Sequence, residues 1–367
     1  MKQTIRWGIL GSGQIAHQFA QGLLCLADTE LLAIGARSKD KADAFSQQYN
    51  VQRSYGSFDE LLADKDIDVV YIATPHHVHR DHCLLALNAG KSVLCEKPFT
   101  INEKQALEVV ELARKKNLFC MEAMWMRFIP AMHRLAELLD DGAIGEPNLL
   151  RADFGVPFKF SPSGRIFDLE LAGGALLDLG IYPVSLACKL FGPPVETIAM
   201  ANIGESGVDE SSTIVLRHAK NQISTLRCSI RHELTPEAVV VGSQGSIQIE
   251  APIYRPHKLK VNQASLVEPV VDSNPGPSTV KKIIQKTPGL QKLALRAENL
   301  LTPVSGAMRT SVIPFEGNGY NYEAAAVNEC LREGKTESDV MSLDDTLMVL
   351  RVMDQVREQW KLRYAGE

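Results

Sequence analysis

The chain has 367 residues, 45% of them hydrophobic and 23% charged, a length and composition that suit two domains with separate cores. Its formal net charge of −5 and sequence pI of about 6.0 argue against a nucleic-acid or acidic-membrane partner. No apolar run approaches the roughly 20 residues that cross a bilayer, so no membrane-spanning segment is predicted.

The seven cysteines are odd in number, scattered, and mostly surrounded by apolar residues. This distribution predicts reduced, buried thiols in a cytoplasmic protein, with neither a disulfide framework nor a zinc site. The first residues run directly into a strand pattern, so no signal peptide is expected.

A glycine-rich turn follows the first predicted strand, Thr4–Leu10, and leads into a helix predicted to end near Leu26. The turn reads G-x-G-x-x-A: Gly11 permits a tight bend, Gly13 lets a pyrophosphate approach the backbone, and Ala16 lets helix and strand pack closely. The helix N-terminus would add free N–H groups. Contacts to a dinucleotide are therefore predicted from Gly11, Ser12, Gly13, Gln14 and Ile15.

The end of the second predicted strand, Glu30–Gly35, indicates which dinucleotide is bound. An NAD site places an acidic residue there for the ribose hydroxyls, whereas a basic residue suits the 2′-phosphate of NADP. Here Arg37 and Ser38 follow the strand, and the first acid is Asp40. Because Arg37 can donate two hydrogen bonds to a phosphate and Ser38 can add a hydroxyl, NADP is favoured, with NAD possible. The alternative is that Arg37 is an exposed residue at a helix start.

Strands and helices continue to alternate, which predicts a doubly wound Rossmann domain over residues 1–122. The strand Val93–Cys95 ends in Glu96-Lys97-Pro98, so Lys97 is predicted to point into the crevice where open α/β sheets bind ligands. The alternative is a surface lysine at a strand end. The other predicted elements are helices Lys39–Tyr49, Ser57–Leu62, Asp81–Ala89 and Asn102–Lys116, and strands Val69–Ala73 and Phe119–Glu122.

The strand Val69–Ala73 leads into Thr74 and Pro75 and then into a run of histidines. His76, His79 and His82 recur every third residue, a spacing that could suggest a metal site. No cysteine or carboxylate pattern completes a ligand set, so no metal is predicted. These histidines are expected to line the cofactor crevice or to cap the following helix.

After Met124 the pattern indicates a second, α+β domain over residues 123–367 with a mainly antiparallel sheet. A helix is predicted to open at Trp125–Pro130 and to end near Leu139, and Gly242–Gly245 indicates a hairpin turn. The predicted strands are Asn148–Val156, Val195–Ile203, Ser211–His218, Gln222–Arg231, Ala238–Gly242, Ser246–Glu250 and an edge strand, His257–Val261. The last predicted elements are a loop at Asn274–Pro277 and helices Val280–Leu300, Tyr320–Glu333 and Ser342–Gln359.

A glycine-rich run, Gly173–Pro183, interrupts this sheet and is predicted to begin a helix. Asp178 and Tyr182 are four residues apart, so a helix would place them on one side. Pro183 is unusual at this position of a helix, which suggests locally irregular geometry. Lysine and tyrosine are common proton donors to a developing alkoxide, so this run is a candidate site. The alternative is a helix cap and an amphipathic tyrosine.

Together the G-x-G-x-x-A turn, the Thr74–His79 run, Glu96-Lys97-Pro98, Glu122–Arg127 and D-x-G-x-Y resemble, in order and spacing, the glucose–fructose oxidoreductase/inositol dehydrogenase (Gfo/Idh/MocA) family. Within that family the chain resembles the dimeric dihydrodiol dehydrogenase branch most. Many relatives carry His in place of Tyr182 and Asn in place of His76, so an inositol substrate is disfavoured.

The resemblance implies roles for individual residues. Lys97 would hydrogen-bond the reacting oxygen, Tyr182 would be the acid/base, and Asp178 would support them. Trp125 and Phe154 would form aromatic walls of the substrate pocket beside Tyr182, with core packing as their alternative. The residues expected near the cofactor are Thr74, Pro75, His76, His79, Glu96, Lys97 and Arg165.

Three functional hypotheses follow. The first is an NADP-dependent oxidoreductase that interconverts a secondary alcohol and a carbonyl on a sugar, cyclic polyol or trans-dihydrodiol. The second is a noncatalytic NADP-binding sensor or regulatory subunit, which would not need a proton donor. The third is a relative that reduces imines with the same acid/base pair. An apolar outer face of the second sheet would make the protein a homodimer or homotetramer.

Overall fold

The computed structural model describes residues 3–264 and 309–367. Residues 3–124 contain alternating strands and helices. The strands are β1 (Ile5–Leu10), β2 (Thr29–Gly35), β3 (Arg53–Tyr55), β4 (Val69–Ile72), β5 (Ser92–Glu96) and β6 (Cys120–Ala123). The helices between them are α1 (Gln14–Leu23), α2 (Lys39–Tyr49), α3 (Phe58–Ala63), α4 (His79–Asn88) and α5 (Glu103–Lys116).

These six strands pair in parallel in the order β3-β2-β1-β4-β5-β6, so the predicted doubly wound Rossmann sheet is confirmed. The strand order reverses between β1 and β4, and ligands bind outside the carboxyl ends of the strands at such a point. Strand β3 is absent from the sequence prediction because its three residues are all half-buried and show no apolar pattern.

Two helix starts lie two or more residues from the prediction. Helix α4 begins at His79 rather than Asp81, after a 3₁₀ turn at His76–Val78. A second 3₁₀ turn, Trp125–Phe128, precedes α6 (Pro130–Asp140), so the α-helix does not open at Trp125. Proline is favoured in the first turn of a helix, where its missing N–H is not needed, and this explains the start at Pro130.

The remaining strands form one eight-stranded sheet in the order β14-β13-β12-β11-β7-β10-β9-β8. Every neighbouring pair is antiparallel except β7 and β10, which confirms the mainly antiparallel prediction. The strands are β7 (Pro147–Gly155), β8 (Pro194–Ile203), β9 (Asp209–His218), β10 (Ile223–Ser229), β11 (Ala238–Gly242), β12 (Gly245–Ile249), β13 (Lys258–Gln263) and β14 (Arg309–Val312).

The predicted edge strand at His257–Val261 corresponds to β13, but it is not at the edge. Strand β14 pairs with its far side, with Lys258 opposite Val312, and forms the edge itself. The sequence pattern missed β14 because its four residues, Arg309–Val312, are mostly polar and exposed. The predicted loop at Asn274–Pro277 and helix at Val280–Leu300 lie outside the described residues.

Helix α7 (Ile181–Phe191) packs on the inner face of the large sheet, behind a π-helical turn at Leu176–Gly180. Helices α8 (Tyr320–Arg332) and α9 (Leu343–Trp360) return to the first half of the chain, α8 against α1 and α9 against α5. No helix within residues 3–264 and 309–367 combines the length and apolarity needed to cross a bilayer.

Candidate functional site

The glycine-rich turn after β1 has the geometry that its sequence predicts. Gly11 has a φ of +106°, and a Cβ there would lie 2.8 Å from the main-chain oxygen of Ala73. Gly13 precedes α1 with an extended backbone, no side chain caps the helix, and a Cβ at Gly13 would meet open space. The first N–H groups of α1 are thus free to bind an anion, in a first turn that contains no acidic residue.

A cleft of about 920 Å³ runs from this turn along the carboxyl ends of the parallel strands. It is large enough for a cofactor. All the residues predicted to contact the cofactor, except His79, line it: Gly11, Ser12, Gly13, Gln14, Ile15, Arg37, Ser38, Thr74, Pro75, His76, Glu96, Lys97 and Arg165. Asp178 lines it as well.

One end of the cleft is basic and open to solvent. Arg37 is exposed, and it makes no hydrogen bond or ion pair with any residue of the described ranges. Ser38 precedes α2, and its hydroxyl does not cap that helix. Lys41 adds a second cation, and the acidic residues that line the cleft, Glu96 and Asp178, lie at its other end with Lys97. These side chains fit a dinucleotide that carries a 2′-phosphate.

Lys97 lies at the opposite end, where β5 ends. Its Nζ donates a hydrogen bond to the main-chain oxygen of Asp178 at 2.9 Å and is 3.9 Å from that residue's carboxylate. The same nitrogen is 4.9 Å from the ring centroid of Tyr182. Burial by itself would lower the pKa of Lys97, but the facing Tyr182 and Asp178 outweigh burial and raise the pKa.

Asp178 faces two cations, Arg165 and Lys97, and the ring of His76. Its carboxylate accepts a hydrogen bond from Arg165 at 3.0 Å and lies 3.8 Å from Nε2 of His76. Burial by itself would raise the pKa of Asp178, but the charges of Lys97 and Arg165 lower it well below its usual range. Asp178 is therefore a carboxylate at every physiological pH.

Tyr182 is almost fully buried, and its hydroxyl accepts a hydrogen bond from the indole N–H of Trp125 at 3.0 Å. Burial raises the pKa of Tyr182, although the nearby Lys97 acts in the opposite direction. The phenol is therefore protonated at neutral pH, which is the form that can donate a proton to an alkoxide. Asp178 lies in a π-helical turn and Tyr182 in the first turn of the α-helix that follows, and the Asp178 carboxylate and the Tyr182 ring both lie near Nζ of Lys97.

Glu96 and the two histidines support this end of the cleft. The carboxylate of Glu96 accepts hydrogen bonds from the Tyr71 hydroxyl and from the main-chain N–H of Lys97. Burial raises the pKa of this carboxyl group to about 7. His76 is buried and lines the cleft, and its Nδ1 has no hydrogen-bond partner among the described residues. Burial lowers the pKa of His76, so the ring is neutral.

His79 is placed behind the cleft rather than in its lining. Its two ring nitrogens lie 2.8 Å from the main-chain oxygen of Pro98 and 2.7 Å from that of Thr74. Burial lowers the pKa of His79 to about 4, against the opposite effect of these two carbonyl groups. His79 therefore lies between the loop after β4 and the loop that carries Lys97, and its neutral ring donates to one of these two oxygens. The described ranges contain no group of three or more His, Cys, Asp or Glu side chains able to hold a metal ion.

An aromatic cluster covers Tyr182. Phe154 is 5.5 Å from Tyr182 between ring centroids, and Trp125 reaches Tyr182 through its indole N–H. Two members are missing from the sequence prediction: Tyr254, stacked on Phe154 at 5.2 Å, and Tyr320, stacked on Trp125 at 4.6 Å. Tyr320 belongs to a predicted helix and Tyr254 to an irregular stretch between strands, and neither carries a local signal of a site.

A dinucleotide cleft that is lined by a buried amine, Lys97, with the buried phenol of Tyr182 next to that amine but outside the lining, indicates the class of nicotinamide-dependent oxidoreductases. Within that class, the chain belongs to the Gfo/Idh/MocA family. The model described as "Oxidoreductase family, NAD-binding Rossmann fold" matches residues 5–124, and the "GFO/IDH/MocA C-terminal domain" model matches residues 132–248. The resemblance found in the sequence is thereby confirmed, as is the expected nicotinamide-dependent oxidoreductase.

The chain is similar over nearly its whole length to curated proteins named trans-1,2-dihydrobenzene-1,2-diol dehydrogenase. The protein of Xenopus tropicalis is 35% identical over 363 residues, covering 98% of this chain and 99% of the relative. The mouse protein (Mus musculus) is 36% identical, covering 97% of this chain and 96% of the relative. The human protein is 34% identical, with the same coverage of 97% and 96%.

Solved structures share the fold over nearly the whole chain. KijD10, a 3-ketoreductase from Actinomadura kijaniata in complex with NADP and TDP-benzene, has a TM-score of 0.78 and 24% identity, covering 97% of this chain and 98% of that one. A levoglucosan dehydrogenase in complex with NADH and L-sorbose has a TM-score of 0.80 and 19% identity, covering 97% and 96%. At these identities the likeness shows the two-part architecture alone.

Proposed function

We propose that this protein is an NADP-dependent dehydrogenase that transfers a hydride between the nicotinamide and a CH–OH or C=O carbon of a trans-dihydrodiol, a sugar or a cyclic polyol. The observation that carries this proposal is the position of Lys97 beside Tyr182 at one end of the dinucleotide cleft. When bound, the nicotinamide supplies or accepts the hydride. The division into residues 1–122 for the cofactor and 123–367 for the substrate is part of the proposal.

The preference for NADP is supported by the basic end of the cleft. Arg37, with Ser38 and Lys41 beside it, would hold the 2′-phosphate, because guanidinium groups bind phosphate with two parallel hydrogen bonds. The free N–H groups after Gly13 would hold the pyrophosphate. At the other end, His76 and Arg165 would contact the nicotinamide half.

For the chemical step, Tyr182 would donate its phenolic proton to the oxygen of a carbonyl substrate, or accept a proton in the reverse direction. Lys97 would hydrogen-bond the same oxygen and stabilise its developing negative charge. Asp178 holds the ammonium of Lys97 through its main-chain oxygen, at 2.9 Å. The low exposure of Lys97 and Tyr182 strengthens these interactions, since little water screens them.

The substrate class is supported by the aromatic side chains around Tyr182. Trp125, Phe154 and Tyr254 pack on one another around Tyr182, and such an apolar aromatic environment suits a carbocyclic ring or the face of a sugar next to the phenol. The curated relatives named for trans-1,2-dihydrobenzene-1,2-diol add weight to a cyclic diol, which is a ring with adjacent hydroxyl groups.

The test replaces Lys97 by Met, which keeps the length of the side chain and removes its charge. We expect turnover of a dihydrodiol or aldose with NADP to fall by at least about 1,000-fold, while the Kd for NADPH, measured by fluorescence, stays within about twofold. Screening aldoses, polyols and aromatic dihydrodiols with both NADP and NAD identifies the substrate first.

The matched control is Lys91→Met, immediately before the strand that Lys97 follows. Lys91 is also buried, and it donates to the main-chain oxygen of Ile67 at 3.0 Å, away from the cleft. We expect this variant to be less stable and fully active. Equal rates for Lys97→Met and the wild type would refute the catalytic role. Tight NADPH binding by a wild-type protein that turns over none of the screened substrates would favour the sensor hypothesis instead.

We also propose that the protein forms a homodimer or homotetramer through the outer face of the large sheet. Ile198 and Met200 are 56% and 78% exposed on β8, and the register places them on the same face of the sheet as Leu149 and Ile223. Exposed apolar side chains of this size favour association, and ion pairs such as Arg217 with Glu196 lie on the same face. Size-exclusion chromatography with light scattering should show an oligomer that Met200→Lys weakens, and a monomeric wild type would contradict the proposal.

A cytoplasmic location is proposed from the thiols. All seven cysteines are unpaired, and six of them are buried. A reducing compartment keeps such thiols in this state. Fractionation of the source cells would test the location, and recovery from an extracellular fraction would contradict it.

A further inference from the structure

The short segment Leu176–Gly180, which carries Asp178, is wound as a single π-helical turn before α7 begins at Ile181. Such turns are rare and occur mostly at functional sites. The main-chain oxygen of Asp178 accepts the hydrogen bond from Nζ of Lys97 at 2.9 Å. The position of this backbone therefore decides where the ammonium of Lys97 lies.

Pro183 affects this hydrogen bond because proline has no main-chain N–H. In a π-helical turn a carbonyl oxygen accepts from the N–H five residues later, and for Asp178 that residue is Pro183. Proline has no N–H, so this partner is missing. In the π-helical pattern an N–H at position 183 would donate to the oxygen of Asp178, which would then be shared between that N–H and Lys97.

Asp209, at the start of β9, holds the beginning of the same turn. Its side chain is fully buried, and its Oδ2 accepts a hydrogen bond from the N–H of Leu176 at 2.7 Å. The N–H of Ala175 also points to this carboxyl group. Gly174, with a φ of +116°, lets the carboxyl approach the chain here, because a Cβ at that position would collide with Oδ1 of Asp209.

We propose that Asp209 and Pro183 are positioning residues: Asp209 fixes the start of the π-helical turn, and Pro183 leaves the Asp178 oxygen available to Lys97. Neither residue touches the reacting atoms, and both act through Lys97. The inference rests on the proposed function, in which Lys97 stabilises the charge on the reacting oxygen. In addition, the second half of the molecule positions Lys97 in two ways: through the main-chain oxygen of Asp178 and through the carboxylate of the same residue.

The decisive variant is Pro183→Ala. Alanine restores an N–H and is a better helix residue than proline, so we expect the variant to be at least as stable as the wild type in thermal unfolding. Its kcat should nevertheless fall about tenfold or more, with KM and the Kd for NADPH within about twofold, because a displaced catalytic group costs rate rather than binding. A purely structural role for Pro183 predicts no such separation of stability and kcat.

The second arm compares three carboxyl variants. Asp209→Ala removes the acceptor for the Leu176 N–H, and we expect kcat to fall by about 100-fold. Asp209→Asn keeps an acceptor oxygen, and we expect it to recover most of that loss. The control is Asp153→Ala, which removes another buried carboxylate of the same sheet. Nη2 of Arg227 donates to Oδ2 of Asp153 at 2.6 Å. We expect this control to be less stable, with little change in kcat.

The inference is overturned if Pro183→Ala keeps its kcat, or if Asp209→Ala lowers kcat no more than Asp153→Ala does. Should Asp209→Ala fail to fold, Pro183→Ala and Asp209→Asn still decide the matter, since both are expected to fold. These failures are distinct from a failure of the proposed function. An active Lys97→Met variant would overturn the function itself, whereas an inactive one together with a fully active Pro183→Ala would overturn only the positioning.

Discussion

The two ends of the cleft hold their charged groups in different ways. At one end Arg37 is exposed and free of ion pairs with the described residues, and its neighbours Ser38 and Lys41 lie next to it in the chain. At the other end the side chains of Lys97 and Asp178 are 14% and 13% exposed, and each is held by groups distant in sequence. We refer to these as the Arg37 end and the Lys97 end.

This difference in burial corresponds to a difference in task. A charge in water is screened, so the Arg37 end can bind a phosphate but can alter the pKa of its neighbours little. A charge in the interior acts strongly on its neighbours, and the Lys97 end accordingly raises the pKa of Lys97 and lowers that of Asp178. We therefore expect changes at the Lys97 end to affect rate and stability, and changes at the Arg37 end to affect cofactor affinity.

The largest effect is expected for Tyr182→Phe at the Lys97 end. Loss of the phenolic proton should lower kcat by about 100- to 10,000-fold, the range for removal of a general acid. The Kd for NADPH should not change, and steady-state kinetics with fluorescence titration measure both quantities. Tyr55→Phe is the control, because Tyr55 donates to Asp64 at 2.9 Å far from Tyr182. A Tyr182→Phe variant with wild-type kcat would contradict the role.

An intermediate effect, on the pH dependence of stability, is expected for Glu122, which lies beneath the Lys97 end. This carboxyl group is fully buried, accepts hydrogen bonds from the Phe99 N–H and the Thr346 hydroxyl, and has its pKa raised by burial to about 7. A raised carboxyl pKa means that the folded state binds the proton more tightly, so this contribution to stability is present below about pH 4.5 and is lost as pH rises through about 7.

Glu122→Gln removes that contribution. The variant should therefore gain stability relative to the wild type between pH 5 and pH 8, by up to about 3 kcal/mol. Urea unfolding at both pH values measures the difference, and Glu137→Gln on the exposed face of α6 serves as the control. A difference between variant and wild type that does not change with pH would contradict the assignment.

The smallest effect, on the affinity for NADPH, is expected at the Arg37 end. Arg37→Ala should raise the Kd for NADPH about tenfold, since a hydrogen bond to a charged group contributes about 1.5 kcal/mol or more, and should leave the Kd for NADH unchanged. Arg134→Ala, which removes an exposed arginine paired with Glu137, is the control. An equal loss of affinity for NADH and NADPH would show that Arg37 does not read the 2′-phosphate.

The same two ends differ in how far the sequence could predict them. The Arg37 end and the glycine turn are encoded by residues adjacent in the chain, and the parallel sheet follows from the alternation of strands and helices. The Lys97 end joins Lys97 to Asp178 across 81 residues, a contact that no local pattern encodes. The family resemblance suggested the pairing, and the structure brings the residues together.

Some parts of the site carry no local signal at all. Asp209 is followed by Glu210 at the start of a strand, where an acidic pair normally indicates a solvent-facing turn, yet Asp209 is fully buried. Tyr254 is a single aromatic residue between strands. The strands β3 and β14 are short and largely polar, so their existence depends on the neighbours with which they pair.

Helices α8 and α9 also bear on the order in which the molecule can assemble on the ribosome. The indole N–H of Trp7 in β1 donates to Asn328 in α8, 321 residues later, and Glu122 in β6 accepts from Thr346, 224 residues later. The parallel sheet thus leaves the ribosome long before these partners are synthesised. A fragment that stops after β6 would bury Trp7 without a partner for its indole N–H and would leave the surface of α1 uncovered, so it should aggregate rather than persist as an isolated nucleotide-binding unit.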